Sequence, residues 1–117
     1  MKTFKDLKVW EKAHKLTLEV YKITKLFPGD EKFGIISQIR RYVVSIPTNL
    51  AEGFKRRSKK DFSRFINISE GSLEETKYLL FLAKELKYLD DKKLEEVNQM
   101  CNEIGRMLNG LYKKLNP

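Results

Sequence analysis

Hydrophobic and small residues recur along this chain in alternating steps of three and four, in four separate runs. The first is Trp10, Ala13, Thr17, Val20, Thr24, Phe27, and the second is Ile36, Ile39, Val43, Ile46, Leu50, Gly53. The third is Phe62, Phe65, Ser69, Ser72, Thr76, Leu79, Ala83, Leu86, and the fourth is Leu94, Val97, Cys101, Ile104, Leu108, Leu111, Leu115. That spacing keeps residues on one seam of an α-helix. Strand-type alternation is absent over any useful length. Four amphipathic helices, each with a face to bury, leave few folds open.

The punctuation between the runs agrees. Pro28-Gly29-Asp30 closes the first helix, since Pro lacks a donor and Gly tolerates positive φ. Ser58 with Asp61 three residues on resembles a capping box, and Asp90 and Asp91 are placed to cap the fourth helix. The expected helices are about 6–27, 34–54, 59–88 and 91–115. Connections this short force successive helices to run antiparallel. The expectation is an all-α, antiparallel up-down-up-down four-helix bundle, with residues 1–117 as one domain. At 41% hydrophobic residues the chain has material for one core.

Three details qualify the seams. Pro47 lies inside the second run, where it deletes the hydrogen bond to the Val43 carbonyl and should kink the helix. Thr17, Thr24, Ser69, Ser72 and Thr76 point inward, where hydroxyls can bond back to the carbonyl one turn earlier. Tyr78, Phe81, Leu82 and Tyr88 fall away from the third seam. Aromatic residues on the outer face of a bundle helix suggest self-association, unless the connection after Leu86 folds over them.

Catalytic chemistry has little to stand on. His14 is the one histidine and reads as a packing residue beside Trp10 and Ala13. Cys101 occupies a seam position and reads as a small buried hydrophobe. One cysteine makes no internal disulfide, so a reducing, cytoplasmic location is expected. No run is long enough to span a bilayer, and residues 1–10 lack the apolar core of a secretory signal. No metal, cofactor or membrane partner is expected. Carboxylates one turn apart can hold Mg²⁺, however, and Glu70 and Glu74 have that spacing.

The charge is more informative. The formal net charge is +8, and residues 55–64 alone supply +5 of it. Lys55, Arg56, Arg57, Lys59, Lys60 and Arg64 sit at the turn into the third helix, whose positive end should add to their field. On the first helix Lys5, Lys8, Lys12, Lys15 and Lys22 extend a basic strip. Phosphate backbones suit such a distribution, through charge neutralisation and counterion release. A basic surface that serves only solubility is the plainer reading. The second helix adds a polar stripe of Gln38, Arg41, Ser45, Asn49 and Glu52. Its short side chains both donate and accept, which suits a packed polar contact as well as a wet face.

The segment from Gln38 to Gly53, with its Ser45-Ile46-Pro47-Thr48-Asn49-Leu50-Ala51-Glu52-Gly53 core, carries a resemblance. Together with Arg57-Ser58, Phe65, the run from Glu70 to Glu75, and the opening Phe4 to Trp10, it resembles a bacterial four-helix-bundle family. Members of that family were first noticed as reading frames inside intervening sequences of large-subunit ribosomal RNA genes. The resemblance implies a ring-shaped homopentamer. A related branch, the accessory variability protein of diversity-generating retroelements, binds nucleic acid and partners a reverse transcriptase. Arg41, Ser45, Pro47, Asn49, Glu52 and Gly53 match the family's signature positions.

The reading that follows is a non-enzymatic, oligomeric, basic accessory protein. Lys55, Arg56, Arg57, Lys59, Lys60 and Arg64, with Lys12 and Lys15, would contact RNA or DNA phosphates, ribosomal RNA among them. Gln38, Arg41, Ser45, Pro47, Asn49, Glu52, Gly53, Tyr78, Phe81 and Leu82 would support assembly. Two alternatives stay open. One is a structural or protein-binding ring without nucleic acid, and the other is a metal-dependent phosphohydrolase using Glu52, Glu70 and Glu74.

Overall fold

A computed structural model describes all 117 residues. Four α-helices run at Lys8–Thr24 (α1), Ile35–Phe54 (α2), Lys59–Glu85 (α3) and Asp91–Leu115 (α4), with no strand. Each helix packs on the next, and α4 closes the set against α1. The short connections make neighbours antiparallel, and the bundle is 43 Å long. Two short 3-10 turns, Phe4–Asp6 and Gly29–Glu31, precede α1 and α2.

The expected boundaries hold closely for α2 and α4, while α1 and α3 are each shorter than expected. At the start, Thr3 caps the first 3-10 turn and Asp6 reaches back to the Thr3 amide at 3.1 Å and the Lys2 amide at 2.8 Å. This reciprocal cap shapes residues 3–6 as a separate turn, so α1 begins only at Lys8. The Ser58 hydroxyl accepts from the Asp61 amide at 3.1 Å, and the Asp90 carboxylate accepts from the Lys93 amide at 2.8 Å. At the far end of α3, Lys87 adopts positive φ at 68°. The Tyr88 amide then donates to the Ala83 carbonyl and the Lys87 amide to the Lys84 carbonyl, each at 2.9 Å. That pair of bonds is a Schellman cap, usually made by glycine, and it ends α3 three residues before the expected point.

The seams are buried as their spacing predicts, with additions. Ile39, Val43, Ile46 and Leu50 of α2 and Val97, Ile104 and Leu108 of α4 have essentially no exposure. Leu16, Ile23, Ile66, Leu73 and Leu80 join them from positions beside the heptad track, because a core-facing helix buries a wider stripe than a two-position seam. Leu86 is the exception at 45% exposed, since the chain turns away there.

The inward hydroxyls behave in two ways. Thr17, Thr24 and Thr76 donate to the carbonyls of Ala13, Val20 and Ser72, one turn back. Ser69 instead donates across to the Ile46 carbonyl at 2.9 Å, and Ser45 donates to the Ser72 hydroxyl. Small side chains therefore let α2 and α3 approach and then stitch them together. Helix α2 runs unbroken through Pro47, and the Val43 carbonyl that Pro47 deprives of its partner meets the Thr17 hydroxyl at 3.3 Å. The deprived acceptor shares the single Thr17 hydroxyl hydrogen, the longer arm of a bond made chiefly to Ala13.

Gly53 permits the closest approach. A Cβ there would lie 2.8 Å from the Phe65 Cβ and 2.9 Å from the Phe62 Cδ1. With no side chain in the way, Phe54 and Phe62 meet edge to face at 6.4 Å and fix the turn that carries the basic residues.

Candidate nucleic-acid interface

The antiparallel path places the start of α1, the end of α2, the start of α3 and the end of α4 at one end of the bundle. Contacts tie the four together there. Asn116 donates to the Ser63 hydroxyl at 2.8 Å. Lys60, Arg64, Tyr112 and Asn116 line a cleft of about 270 Å³ between α3 and α4. Lys8 and Lys114 line another of about 320 Å³ between α1 and α4. The basic turn thus gains Lys5 and Lys8 on one side and Lys113 and Lys114 on the other. Sequence reasoning missed Lys113 and Lys114, because nothing in their own neighbourhood distinguishes them from an ordinary helix end.

Within the turn the cations are not equivalent. Arg56 pairs with Glu52 at 2.6 Å and lies over the Phe65 ring at 4.6 Å, so its guanidinium is held against the fold. Arg64 pairs with Asp61. Lys55, Arg57, Lys59 and Lys60 are exposed and have no carboxylate within ion-pair distance. These four are the cations free to meet an anion without first breaking a contact. The strip along α1 is less available than its spacing suggests. Lys12 reaches Glu103 of α4 at 3.5 Å, and Lys15 reaches Glu11 at 3.3 Å. Surface pairs of this kind are weak, on the order of 0.2–1 kcal/mol, so they moderate the strip without removing it.

The expected help from the α3 dipole is offset. At this end two helices present their N-termini and two their C-termini, so the partial charges alternate. Side chains, not helix dipoles, make the end positive.

The polar stripe of α2 divides. Gln38 and Arg41 are exposed, and Glu52 is exposed while paired with Arg56. Ser45 and Asn49 are half-buried and spend their hydrogen bonds inside the fold, Ser45 on Tyr42 and Ser72, and Asn49 on the Ser45 carbonyl at 2.7 Å. Pro47 and Gly53 are buried. In the middle of the stripe, Ser45 therefore joins α2 to α3 through Ser72, while Asn49 bonds back within α2.

The aromatic face of α3 also divides. Tyr78 and Phe81 are 60% and 49% exposed. Leu82 and Tyr88 do not belong with them, since both pack on the core. Tyr88 rests on Phe27 at 5.5 Å and donates to Glu31 at 2.8 Å, so the connection after α3 does fold over the bundle. Beside Tyr78, a cleft of about 400 Å³ between α2 and α3 is lined by Gln38, Tyr42, Glu74 and Glu75.

The single thiol and imidazole have opposite fates. Cys101 is fully buried, and burial pushes its thiol up to about 12. Such a thiol is protonated and unreactive at neutral pH. His14, expected to be part-buried, is instead exposed and stacks on Trp10. The three carboxylates of the hydrolase alternative do not act together. Glu52 is engaged by Arg56 and Glu74 by Lys77 at 3.5 Å, while desolvation raises the Glu70 carboxyl above its ordinary range. No three His, Cys, Asp or Glu side chains are grouped to hold a metal ion, and no helix is long and apolar enough to cross a membrane.

Residues 5–110 match the family described as 23S rRNA-intervening sequence protein. Among solved structures, the chain is similar to a protein of unknown function from the S23 ribosomal protein family of Bacteroides thetaiotaomicron. The two share 27% sequence identity with a TM-score of 0.83, over 90% of this chain and 95% of that one. Comparison with curated proteins returns no match. Neither the family nor the similar structure carries an enzymatic description.

Proposed function

Since the chain belongs to the 23S rRNA-intervening sequence protein family, we propose that it is a non-enzymatic accessory protein that binds the phosphate backbone of RNA or DNA. The observation that carries this reading is the convergence of cations from three parts of the chain on one end of the bundle. Lys55, Arg57, Lys59 and Lys60 stand there without ion-pair partners. An anion that docks on them displaces counterions and breaks no internal contact, which favours a polyanion. The family description names ribosomal RNA, and a cytoplasmic ribosomal RNA is the first ligand to test.

Assembly completes the proposal. Tyr78 of α3 and Gln38 of α2, which line the cleft between those helices, with the exposed Phe81 and Arg41, are the surface offered for self-association as a homopentamer. Five copies at +8 each would carry +40. A ring of that charge would repel itself unless a polyanion lay close by.

The test is a salt titration of binding to a ribosomal RNA fragment. Each phosphate contact contributes a log–log slope of about −0.7 to −0.9. Replacing Lys55, Arg57, Lys59 and Lys60 together by Gln should flatten that slope by about 3 and leave helix content unchanged. Absence of binding at low salt, or an unaltered slope in the variant, would overturn the reading.

A further inference from the structure

Beside the basic turn, α1 and α2 border an open groove of about 570 Å³, a size suited to a small organic group. Its floor is apolar, formed by Val44, Pro47 and Ala51 of α2, and its wall on α1 is aromatic. Trp10 and His14, one helical turn apart, stack nearly parallel, with ring centroids 5.1 Å apart and planes 7° from coincidence. Phe4 holds the Trp10 ring edge-on at 5.0 Å, and the capped turn at Thr3–Asp6 fixes Phe4 in place. Trp10 is therefore held by two rings, Phe4 and His14, while His14 is exposed and no other ring stacks on it. Lys55, one of the four unpaired cations, lines the same groove, as does Glu52, whose carboxylate is offset by its pair with Arg56.

We infer that this groove takes the base of an unpaired nucleotide, stacked on the outer face of His14 at the open end of the Trp10–His14 stack, with a neighbouring phosphate on Lys55. Resting on the phosphate-binding reading above, this assigns the protein a preference for single-stranded over duplex nucleic acid. The chemistry is that of general single-strand binding, in which a cationic track follows the backbone and aromatic faces accept bases of any sequence. A paired base cannot enter, because its faces are already covered by its neighbours in the helix. Charge complementarity selects this occupant over an apolar one. The groove opens onto the most basic surface of the molecule, so an occupant that brings a negative charge gains at its rim what an apolar side chain does not.

Trp10 is the only tryptophan, so its emission reports on this groove alone. The experiment titrates the full chain with a single-stranded oligouridylate, whose bases are largely unstacked, and with an RNA duplex of equal phosphate count. It follows tryptophan emission and, separately, the anisotropy of end-labelled RNA. The single strand is expected to quench Trp10 at saturation, and the duplex to bind the basic turn without quenching. His14→Ala, a change at an exposed position, should weaken single-strand binding by about tenfold. Duplex affinity should stay within about twofold, since charge alone sets it. Single-strand binding that neither alters Trp10 emission nor responds to His14→Ala overturns this inference and leaves the phosphate reading standing. No binding of either RNA overturns both. A blue shift of Trp10 emission that grows with protein concentration in the absence of RNA places a second copy of the chain in the groove, and also overturns it.

Discussion

Replacing Gly53 by Ala sets two physical effects against each other with opposite signs. Alanine is the better helix former, by up to about 1 kcal/mol in a helix interior. Gly53 lies next to the last residue of α2, so that gain is at most the full amount. Against it stands the contact geometry. The new methyl would lie 2.8 Å from the Phe65 Cβ and 2.9 Å from the Phe62 Cδ1. The Phe62 ring can swing, but the Phe65 Cβ is one bond from the backbone, so α2 and α3 must part to admit it. Overpacking a close contact typically costs about 1–3 kcal/mol, and a collision with a backbone-anchored atom belongs in the upper half of that range. The balance is a net loss of about 1–2 kcal/mol, or roughly 4–8 °C in melting temperature for a chain of this size. Thermal and urea unfolding followed by far-UV circular dichroism, at one fixed protein concentration, would measure it. Gly110→Ala is the control, because a Cβ there meets nothing within 4 Å. It should stabilise by up to about 1 kcal/mol. If Gly53→Ala proves neutral or stabilising alongside Gly110→Ala, helix propensity outweighs packing and the account of the α2–α3 approach is wrong.

Two further expectations concern the chain ends of helices. Lys87 holds positive φ without being glycine, so Lys87→Gly should stabilise by about 1 kcal/mol in the same unfolding assays; a loss of stability would mean that the Lys87 side chain contributes more than its backbone strain costs. The Asp6 carboxyl is held below its ordinary value of 3.8, first by the Thr3 amide and then by the Lys2 amide. A carboxyl lowered by folding adds stability that is complete above its unfolded value and lost as pH falls through the lower folded one. Acid should therefore release the Thr3–Asp6 turn and free Phe4 from Trp10, changing tryptophan emission before helix content falls. In Asp6→Ala that early step should be missing; its persistence there would assign the change to another group.

The four helices were legible because periodicity and capping are local. Ile39, Val43, Ile46 and Leu50 announce a buried face by spacing alone, and Asp90 announces the start of α4 one residue before it begins. The end of α3 was not legible. Lys87 carries no glycine signal, so the helical pattern in the sequence continues to Tyr88, and only the positive φ stops it. Leu82 and Tyr88 looked like surface on a helical wheel, yet a wheel describes one helix and the surface depends on its neighbours.

For the candidate site, sequence alone determined the fold class, the concentration of +5 in residues 55–64 and the presence of one tryptophan. Which of those charges are paired is also a local matter, since each pair spans a single helical turn. Arg56 and Arg64 are committed to Glu52 and Asp61, whereas Lys55, Arg57, Lys59 and Lys60 are not. Only the tertiary structure brought Lys113 and Lys114 to the same end as Lys5 and Lys8, and set the α1 pair of Trp10 and His14 in one groove with Lys55 at the end of α2. The reason is range. Helix formation and the pairing of Arg56 and Arg64 are governed by neighbours within a turn, while groove formation and the gathering of distant cations depend on atoms close in space and tens of residues apart in the chain.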